Sequence, residues 1–353
     1  DLPSFRARQE AARQEGRYLG IGLSVFNERT GYGTPAFAAR GMEITPGYER
    51  VDLSMTPSGE VEARIGASPH GQGLRTALSQ VIADELGLDP ARIRIIHGDT
   101  DRTPYGWGTF ASRSAVISGG ACKLAAVKLA ERLRRCAARM LQADAAQVEL
   151  RDGMAVVGVT GASIPLASLA RTAHHGSHLL AEEAPEGLHE AALYDPAGTF
   201  SNACHIAEVE VDVETGGVRI LRYIVAEDAG RLINPMLVDG QIQGGVAQGI
   251  ANALYEEIIY DTDGQILTGS LADYIPPTCA EIPEIEIHHL VTVSDASVTQ
   301  AKGVGEGGAI GAPAAVLNAI SDALAPFEVE VFEMPATPDR IRALLRAAQE
   351  ARA

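Results

Sequence analysis

Short strand pairs alternate with helices along this chain of 353 residues, and the alternation limits it to folds built from layers of sheet and helix. Alternating apolar residues flank a turn at 57–59 and again at 215–217, which indicates two hairpins. Apolar residues at helical spacing follow these hairpins at 73–88 and 238–258. Strand pairs mixed with helices predict an α+β fold rather than a doubly wound parallel sheet.

The same patterns predict further elements and a division into two parts. A polar, proline-punctuated stretch at 166–198 indicates a boundary between subdomains 1–165 and 166–353. Two similar subdomains are expected, because a weak internal repeat relates Gln72 and Gln80 to Gln241 and Gln248. The other predicted elements are strands at 19–28, 92–100 and 284–293, hairpins at 148–157 and 258–267, and helices at 114–141, which Gly119–Gly120 could interrupt, and 312–324.

Charge and cysteine content exclude several classes of function. A formal charge of -17 and a pI near 5.0 argue against a nucleic-acid partner or an anionic membrane surface. No uninterrupted apolar run reaches about 18 residues, so no membrane span is expected. The polar start of the chain has no signal-peptide core, which favours a cytoplasmic location. The scattered cysteines form no metal cage, so redox chemistry would need a borrowed cofactor; they are Cys122, Cys136, Cys204 and Cys279.

Three glycine-rich turns each lead into a helix, around Gln72, at 109–114 and around Glu306. Helix starts present unpaired N–H groups and a partial positive charge, which suit phosphates. One turn alone is more often an ordinary cap with its arginine on the surface, but three in one acidic chain favour an extended anionic ligand. The polar side chains of the second turn are Thr109, Ser112, Arg113 and Ser114.

Three polar residues between 228 and 241 are weaker candidates for this ligand. Asp228 and Asn234 lie where a strand ends in a turn, and such residues often have only a capping role. Gln241, beside a glycine at an expected helix start, can donate and accept hydrogen bonds, as recognition of a heterocycle edge requires. The histidines show no metal-ligand spacing, and no protein-ligated metal is predicted.

Glu306 is the most unusual residue of the chain, because four glycines surround this single carboxylate. We expect it to be buried, with Lys302 as the only adjacent cation, and we expect Pro313 to lie in the first turn of the following helix. Burial raises the pKa of a carboxylate and nearby N–H groups lower it. A balance of the two effects near neutral pH is typical of a general base.

Four segments together resemble the molybdenum hydroxylases, the family of xanthine dehydrogenase, aldehyde oxidase and carbon monoxide dehydrogenase. The segments are 68–87, 98–121, 227–250 and 302–324. The resemblance covers nearly the whole chain and corresponds to the C-terminal half of that family's molybdopterin-binding large subunit. It implies two mixed sheet-and-helix subdomains of the cofactor-binding type.

The resemblance also implies roles for individual residues. Glu306 would be the base beside the molybdenum, in a reaction that inserts a water-derived oxygen at an electron-poor C–H of an N-heterocycle or aldehyde. Leu23 lies in the strand where relatives place an aromatic residue against the substrate, which is a departure from the family pattern. Phe26, Glu28 and Tyr32 lie nearby, and the resemblance implies that they would line the pocket instead. The residues expected around a molybdopterin cytosine dinucleotide are Gln72, Gly73, Thr109, Phe110, Ala111, Ser112, Arg113, Ser114, Asp228, Asn234, Gln241, Gln300, Lys302, Gly303, Val304 and Gly305.

The expected partners are inferred from the parts of the family's enzymes that this sequence does not resemble. No segment matches the N-terminal half of the family's molybdenum subunit, an iron–sulfur domain or a flavin domain. The expected partners are therefore a second molybdenum-subunit half, a [2Fe-2S] subunit and an FAD subunit, and the chain should not turn over alone. Two alternatives remain at this stage: oxidation of carbon monoxide, and a catalytically silent cofactor-binding assembly protein.

Overall fold

The computed structural model describes residues 1–180, 183 and 187–352. The described helices are α1 Leu2–Gln14, α2 Thr34–Ala38, α3 Leu74–Leu86, α4 Ser114–Leu141, α5 Leu166–His175, α6 Pro235–Leu254, α7 Gly307–Leu324 and α8 Pro338–Arg352. The strands are β1 Tyr18–Thr30, β2 Glu49–Met55, β3 Val61–Ile65, β4 Ile93–Ile96, β5 Val148–Arg151, β6 Met154–Val157, β7 Ser163–Pro165, β8 His189–Tyr194, β9 Thr199–Val211, β10 Val218–Asp228 and β11 Ile285–Leu290. The predicted α+β class is confirmed.

Two four-stranded sheets share one pairing pattern. The first runs β8-β2-β3-β4 and the second β1-β9-β10-β11; in each, two antiparallel pairs are followed by one parallel pair. In each unit a helix connects the parallel strands, α3 in one and α6 in the other. A second helix packs against the sheet: α4 contacts β2 and β8, and α7 contacts β1 and β9. The two units therefore repeat the same arrangement, beside a small third sheet of β5, β6 and β7.

The first strand of each unit is exchanged with the other unit. β1 precedes β2 in the chain but pairs with β9 along its whole length, from Tyr18 opposite Val211 to Thr30 opposite Thr199. β8 precedes β9 but pairs with β2. Neither sheet is therefore confined to one side of residue 165, and the predicted boundary region at 166–198 contributes α5 and β8 to the first unit.

Close packing of α7 on its sheet depends on glycines in β1. A Cβ atom on Gly20 would lie 2.0 Å from the carbonyl oxygen of Ala319, and one on Gly22 equally close to that of Ala315. By length and composition, the stretch Gly307–Phe327 could cross a membrane. Its contacts with β1, β9 and α6 account for its apolar side chains within the fold.

Several boundaries differ from the sequence prediction. α4 is continuous through Gly119–Gly120, where the ring of Tyr194 occupies the space that a Cβ atom on Gly120 would need. α7 begins at Gly307, so Pro313 lies in its interior rather than in its first turn. The predicted hairpin at 258–267 forms only an isolated bridge between Tyr260 and Ile266.

Candidate functional site

A cavity of about 680 Å³ lies where the two units meet, bordered by the starts of α3, α4, α6 and α7. The three glycine-rich turns predicted from the sequence all line it, because each precedes one of these helices. The predicted site residues in its wall are Gln72, Thr109, Phe110, Ser112, Arg113, Ser114, Asn234, Gln241, Lys302, Val304, Gly305 and Glu306. Gly73, Ala111, Asp228, Gln300 and Gly303 are not part of the lining, but each is adjacent in sequence to a residue that is.

Arg113 braces the loop before α4 from inside the protein. Its side chain is fully buried and donates hydrogen bonds to the carbonyl oxygens of Gly108 and Gly47, both at 2.7 Å. It lies 3.8 Å from the carboxylate of Glu49, which is also fully buried. Burial raises the pKa of Glu49, and the arginine opposes that rise. The alternative that Arg113 is a surface residue is therefore wrong: its guanidinium fixes the loop that borders the cavity.

The same loop holds two consecutive residues in the left-handed region, Ala111 at φ 50° and Ser112 at φ 49°. Non-glycine residues pay of order 1–3 kcal/mol each for such a conformation, which persists only where the surroundings enforce it. Here the Ser112 hydroxyl accepts a hydrogen bond of 3.1 Å from the N–H of Glu306. The strained turn thus joins the start of α4 to the start of α7.

Gly303 is required where the loop before α7 crosses the loop before α4. A Cβ atom on Gly303 would lie 2.1 Å from the carbonyl oxygen of Ser112. Its N–H donates to the Thr30 hydroxyl at 3.1 Å, and its carbonyl oxygen accepts from the Ser201 hydroxyl at 2.5 Å. The loop is therefore held from both sides, by a backbone contact and by two buried hydroxyls.

Gly303→Ala should destabilise the protein, whereas Gly305→Ala should not. A methyl group on Gly303 meets backbone that cannot give way, and overpacking of this kind costs about 1–3 kcal/mol or more. On Gly305 the nearest atom would be the Ser112 hydroxyl at 3.4 Å, an ordinary contact. Urea unfolding of both variants measures the difference in the free energy of unfolding. Equal values would show that the loop crossing tolerates a methyl group.

Lys302 and Asp228 form a buried ion pair at one end of the cavity, with Nζ and Oδ2 3.1 Å apart. The Asp228 carboxylate also accepts hydrogen bonds from the N–H groups of Gly230 and Thr292. Burial would raise the pKa of Asp228, but these hydrogen bonds and the ammonium group hold it below its usual value. Lys302, the cation expected beside Glu306, is therefore paired with Asp228 instead. This ion pair joins the end of β10 to the loop before α7.

The amide side chains of Gln72, Asn234 and Gln241 also line the cavity. Asn234 caps α6 by accepting from the N–H of Leu237, and its amide donates to Gln80 at 3.0 Å. Gln72 uses its carbonyl oxygen to accept from the N–H of His70 at 2.6 Å, which leaves its amide donor facing the cavity. Because α6 begins at Pro235, Gln241 lies in its second turn rather than at its start, and still lines the cavity.

Glu306 occupies the N-cap position of α7 and is exposed to the cavity, so the expectation that it is buried is wrong. Its backbone N–H is bonded to Ser112 at the contact between the two loops, whereas its side chain lies in the wall of the cavity and stays exposed. The partial positive charge of the helix start favours a negative charge there. An accessible carboxylate in a cavity wall can exchange protons with a bound molecule.

Glu227 was missed by the sequence interpretation, although the alternation of β10 contains a signal for it. The side chains of Tyr223 and Val225 are buried on the face that α7 covers, and Glu227 falls in phase with them. Its side chain is 0% exposed. Burial first, then the nearby Glu28 and Asp228 carboxylates, raise the pKa of Glu227 to about 8.

Three of the residues considered for a substrate pocket do not share one surface. Phe26 and Glu28 lie on the α7 side of β1, and Phe26 Cζ lies 3.3 Å from where a Cβ atom on Gly307 would be. Leu23 lies an odd number of residues from Phe26 and Glu28 along the strand, so its side chain is on the opposite face, where it is exposed. The structure therefore brings Phe26 and Glu28 towards Glu306 and places Leu23 away from them.

The lining of the cavity suits an extended organic anion. Amide, hydroxyl and N–H donors come from four different helix starts, and the loops before α4 and α7 are in contact through Ser112 and Gly303. Apolar side chains complete the wall, among them Leu74, Leu78, Leu232, Ile233, Leu237 and Val238. A wall of apolar side chains with few placed polar groups is typical of a cofactor or ligand site.

Comparisons with known proteins agree with this description. The sequence profile of the molybdopterin cofactor-binding domain matches residues 1–283. The chain is 39% identical over 343 residues to the nicotine 6-hydroxylase large subunit of Paenarthrobacter nicotinovorans, which covers 97% of this chain and 42% of that protein. It is 34% identical over 347 residues to the carbon monoxide dehydrogenase large chain of Hydrogenophaga pseudoflava, with 97% and 42% covered.

Among solved structures, quinoline 2-oxidoreductase from Pseudomonas putida 86 superposes with a TM-score of 0.91 at 39% identity, over 98% of this chain and 44% of that one. The chain spans about two fifths of the length of the curated relatives it matches.

Proposed function

This chain belongs to the molybdopterin cofactor-binding domain family, and we propose that it is the part of a molybdenum hydroxylase that holds the pterin cofactor and supplies the catalytic base. One observation supports this most directly: the Glu306 carboxylate is exposed to a cavity whose wall is formed by four helix starts. A catalytically silent cofactor carrier would need the donors of that wall but not an accessible carboxylate among them.

The residues of the cavity fit a molybdopterin cytosine dinucleotide. N–H groups and hydroxyls at 109–114 would bind the phosphates, and the amides of Gln72 and Gln241 would bind heterocycle edges. Val304 and Gly305 would face the pterin from the loop before α7. When bound, the cofactor supplies the two-electron redox chemistry of the reaction.

The residues of the chain would supply proton transfer and orientation. Glu306 would accept a proton at its carboxylate as oxygen is transferred to an electron-poor carbon of the substrate. The Gly303 crossing and the Lys302–Asp228 pair would fix the loop that carries it. A base held on a fixed loop loses little orientation entropy during the reaction.

An N-heterocycle is the substrate class best supported. Nicotine and quinoline, named in two relatives at 39% identity, both contain a nitrogen heterocycle. The carbon monoxide dehydrogenase large chain, at 34%, makes carbon monoxide the second candidate. An aldehyde is a third. Turnover assays with these substrate classes on one preparation distinguish the candidates.

Partner subunits would complete the enzyme. Large apolar side chains are exposed along 258–293, including Leu271 at 78% and Val291 at 61%. Exposed apolar side chains concentrated in one segment are a common feature of a protein interface. We infer that the remainder of the molybdenum subunit covers it, and that [2Fe-2S] and FAD subunits carry electrons onward.

The native complex should contain molybdenum and should release a molybdopterin cytosine dinucleotide on denaturation. Metal analysis and chromatography of the released pterin, with the same complex lacking this chain as control, make the measurement. An active preparation without molybdenum and pterin would refute the proposed function. Release of a pterin with a different nucleotide would refute only the cytidine.

A further inference from the structure

The buried carboxyl of Glu227 and the half-buried carboxyl of Glu28 lie on the sheet face that α7 covers, beneath the helix that Glu306 caps. Glu28 on β1 pairs with Ser201 on β9, and Glu227 on β10 pairs with Ala203 of the same central strand. The small side chains of β9 leave room between the two acids. A Cβ atom on Gly307 would lie 2.6 Å from Glu227 Oε1, so a larger first residue of α7 would displace the Glu227 carboxyl.

These acids have no cationic partner among the described residues. Glu227 is 0% exposed, and neither of its carboxyl oxygens has a hydrogen-bond partner; Glu28 Oε2 also has none. The groups that act on Glu227 electrostatically are Glu28 and Asp228, both acidic. A buried ionised carboxylate without a partner is strongly unfavourable. The arrangement therefore requires a proton on the fully enclosed Glu227 carboxyl and favours one on Glu28, at its enclosed Oε2.

The other titratable groups facing the cluster do not supply a charge. His205 on β9 shares a 2.9 Å hydrogen bond with the Tyr223 hydroxyl on β10, and its Nε2 is unpartnered. Burial lowers the pKa of His205 to about 4, so the ring is neutral at neutral pH. Burial also raises the pKa of Tyr223, which therefore stays protonated. Glu306, at the edge of the cavity, is exposed to solvent.

We propose that Glu28 is a positioning residue for Glu306: its protonated carboxyl donates a hydrogen bond to the Glu306 carboxylate and orients it towards the cavity. The inference rests on the proposed function, in which Glu306 is the base. Neutral Glu227 behind the pair keeps a second negative charge away from it. Glu28 thus acts through Glu306 rather than by contact with the substrate.

The protonation of Glu28 supports this geometry. Burial first, then the charge of Glu306 and the hydrogen bond to it, raise the pKa of Glu28 to about 7. As the pH rises through about 7, Glu28 loses its proton, and the donated hydrogen bond is replaced by repulsion between two carboxylates. The turnover number should therefore fall on the alkaline side of neutrality while substrate binding changes little.

Three variants of the holoenzyme complex test the inference: Glu28→Leu, Glu28→Gln and, as a control, Glu330→Gln at an exposed position. Loss of a hydrogen bond to a charged group corresponds to about a 10- to 100-fold effect, so Glu28→Leu should lower kcat by that factor at unchanged KM and molybdenum content. The amide of Glu28→Gln can still donate, so kcat should recover to within about threefold and its alkaline decline should disappear. Infrared titration should show a protonated carboxyl that is lost near pH 7 and is absent from Glu28→Gln.

The outcomes separate this inference from the proposed function. A Glu28→Leu enzyme with normal kcat and pH profile would overturn the inference, and so would a raised KM at normal kcat, which indicates substrate contact. An infrared spectrum unchanged by Glu28→Gln would overturn it as well, even if a variant proves inactive for another reason. Absence of molybdenum and pterin from the wild type would refute the proposed function, while the infrared signal of Glu28 would persist.

Discussion

Replacing Glu306 with Gln should remove most of the turnover and leave the cofactor bound. The amide has the size of the carboxyl group but cannot accept the proton. Removal of a general base typically costs about 10²–10⁴-fold in rate, and more where the base also positions the reacting groups. The measurement is kcat per bound molybdenum in the purified complex.

Cofactor retention is expected because the backbone and other side chains hold the loop. The N–H of Glu306, which donates to Ser112, is unaffected by the change. The Lys302–Asp228 ion pair and the Gly303 crossing also remain. Glu330→Gln, at an exposed position, controls for the loss of one carboxylate. Near-normal turnover at full metal loading would place the base elsewhere, and loss of the metal would assign Glu306 a structural role.

The convergence of the glycine-rich turns could be predicted because its signals are local. A helix start is specified by a few adjacent residues, such as Asn234 before Pro235 or the turn at 109–113 before Ser114. In a two-layer fold whose units repeat, equivalent helix starts lie in equivalent places. The glycine-rich turns, each identified from a few adjacent residues, therefore include most of the predicted residues that line the cavity.

The exchange of strands could not be predicted, because strand pairing is not local. β1 and β8 each carry an alternation that either sheet could accept, and nothing within 18–30 specifies β9 as the partner. The exchange has a consequence for the site. It places Glu28, from the start of the chain, on the same sheet face as Glu227 and beneath the helix that Glu306 caps.

The burial of individual carboxyls was predicted incorrectly for a related reason. Glu306 was expected to be a buried carboxylate beside Lys302, but it is exposed, and the enclosed carboxyl is that of Glu227. Glycines report how closely backbones approach, as at Gly303 and Gly308. They do not report the direction of the adjacent side chain, which depends on the cavity that distant elements leave open.

The buried state of Glu227 should make the stability of the protein depend on pH. In the folded protein its pKa is raised from its usual value of 4.5 to about 8, so the folded state binds a proton that the unfolded state has lost over this interval. Its contribution to stability is complete below about pH 4.5 and is lost as the pH rises through about 8. Above that pH an ionised group without a partner remains in the core.

Glu227→Gln should therefore stabilise the protein at alkaline pH and change it little at pH 5. Gln is neutral at every pH, has nearly the same volume, and replaces a carboxyl that has no hydrogen-bond partner to lose. The displacement of the pKa limits the gain above pH 8 to roughly 5 kcal/mol, and relaxation around the ionised carboxylate would reduce it. Urea unfolding of wild type, Glu227→Gln and Glu330→Gln at pH 5, 7 and 9 measures the gain, which should grow with pH only for Glu227→Gln. The opposite trend, in which the stability of Glu227→Gln relative to wild type is lower at pH 9 than at pH 5, would mean that Glu227 is ionised and stabilised in the folded protein.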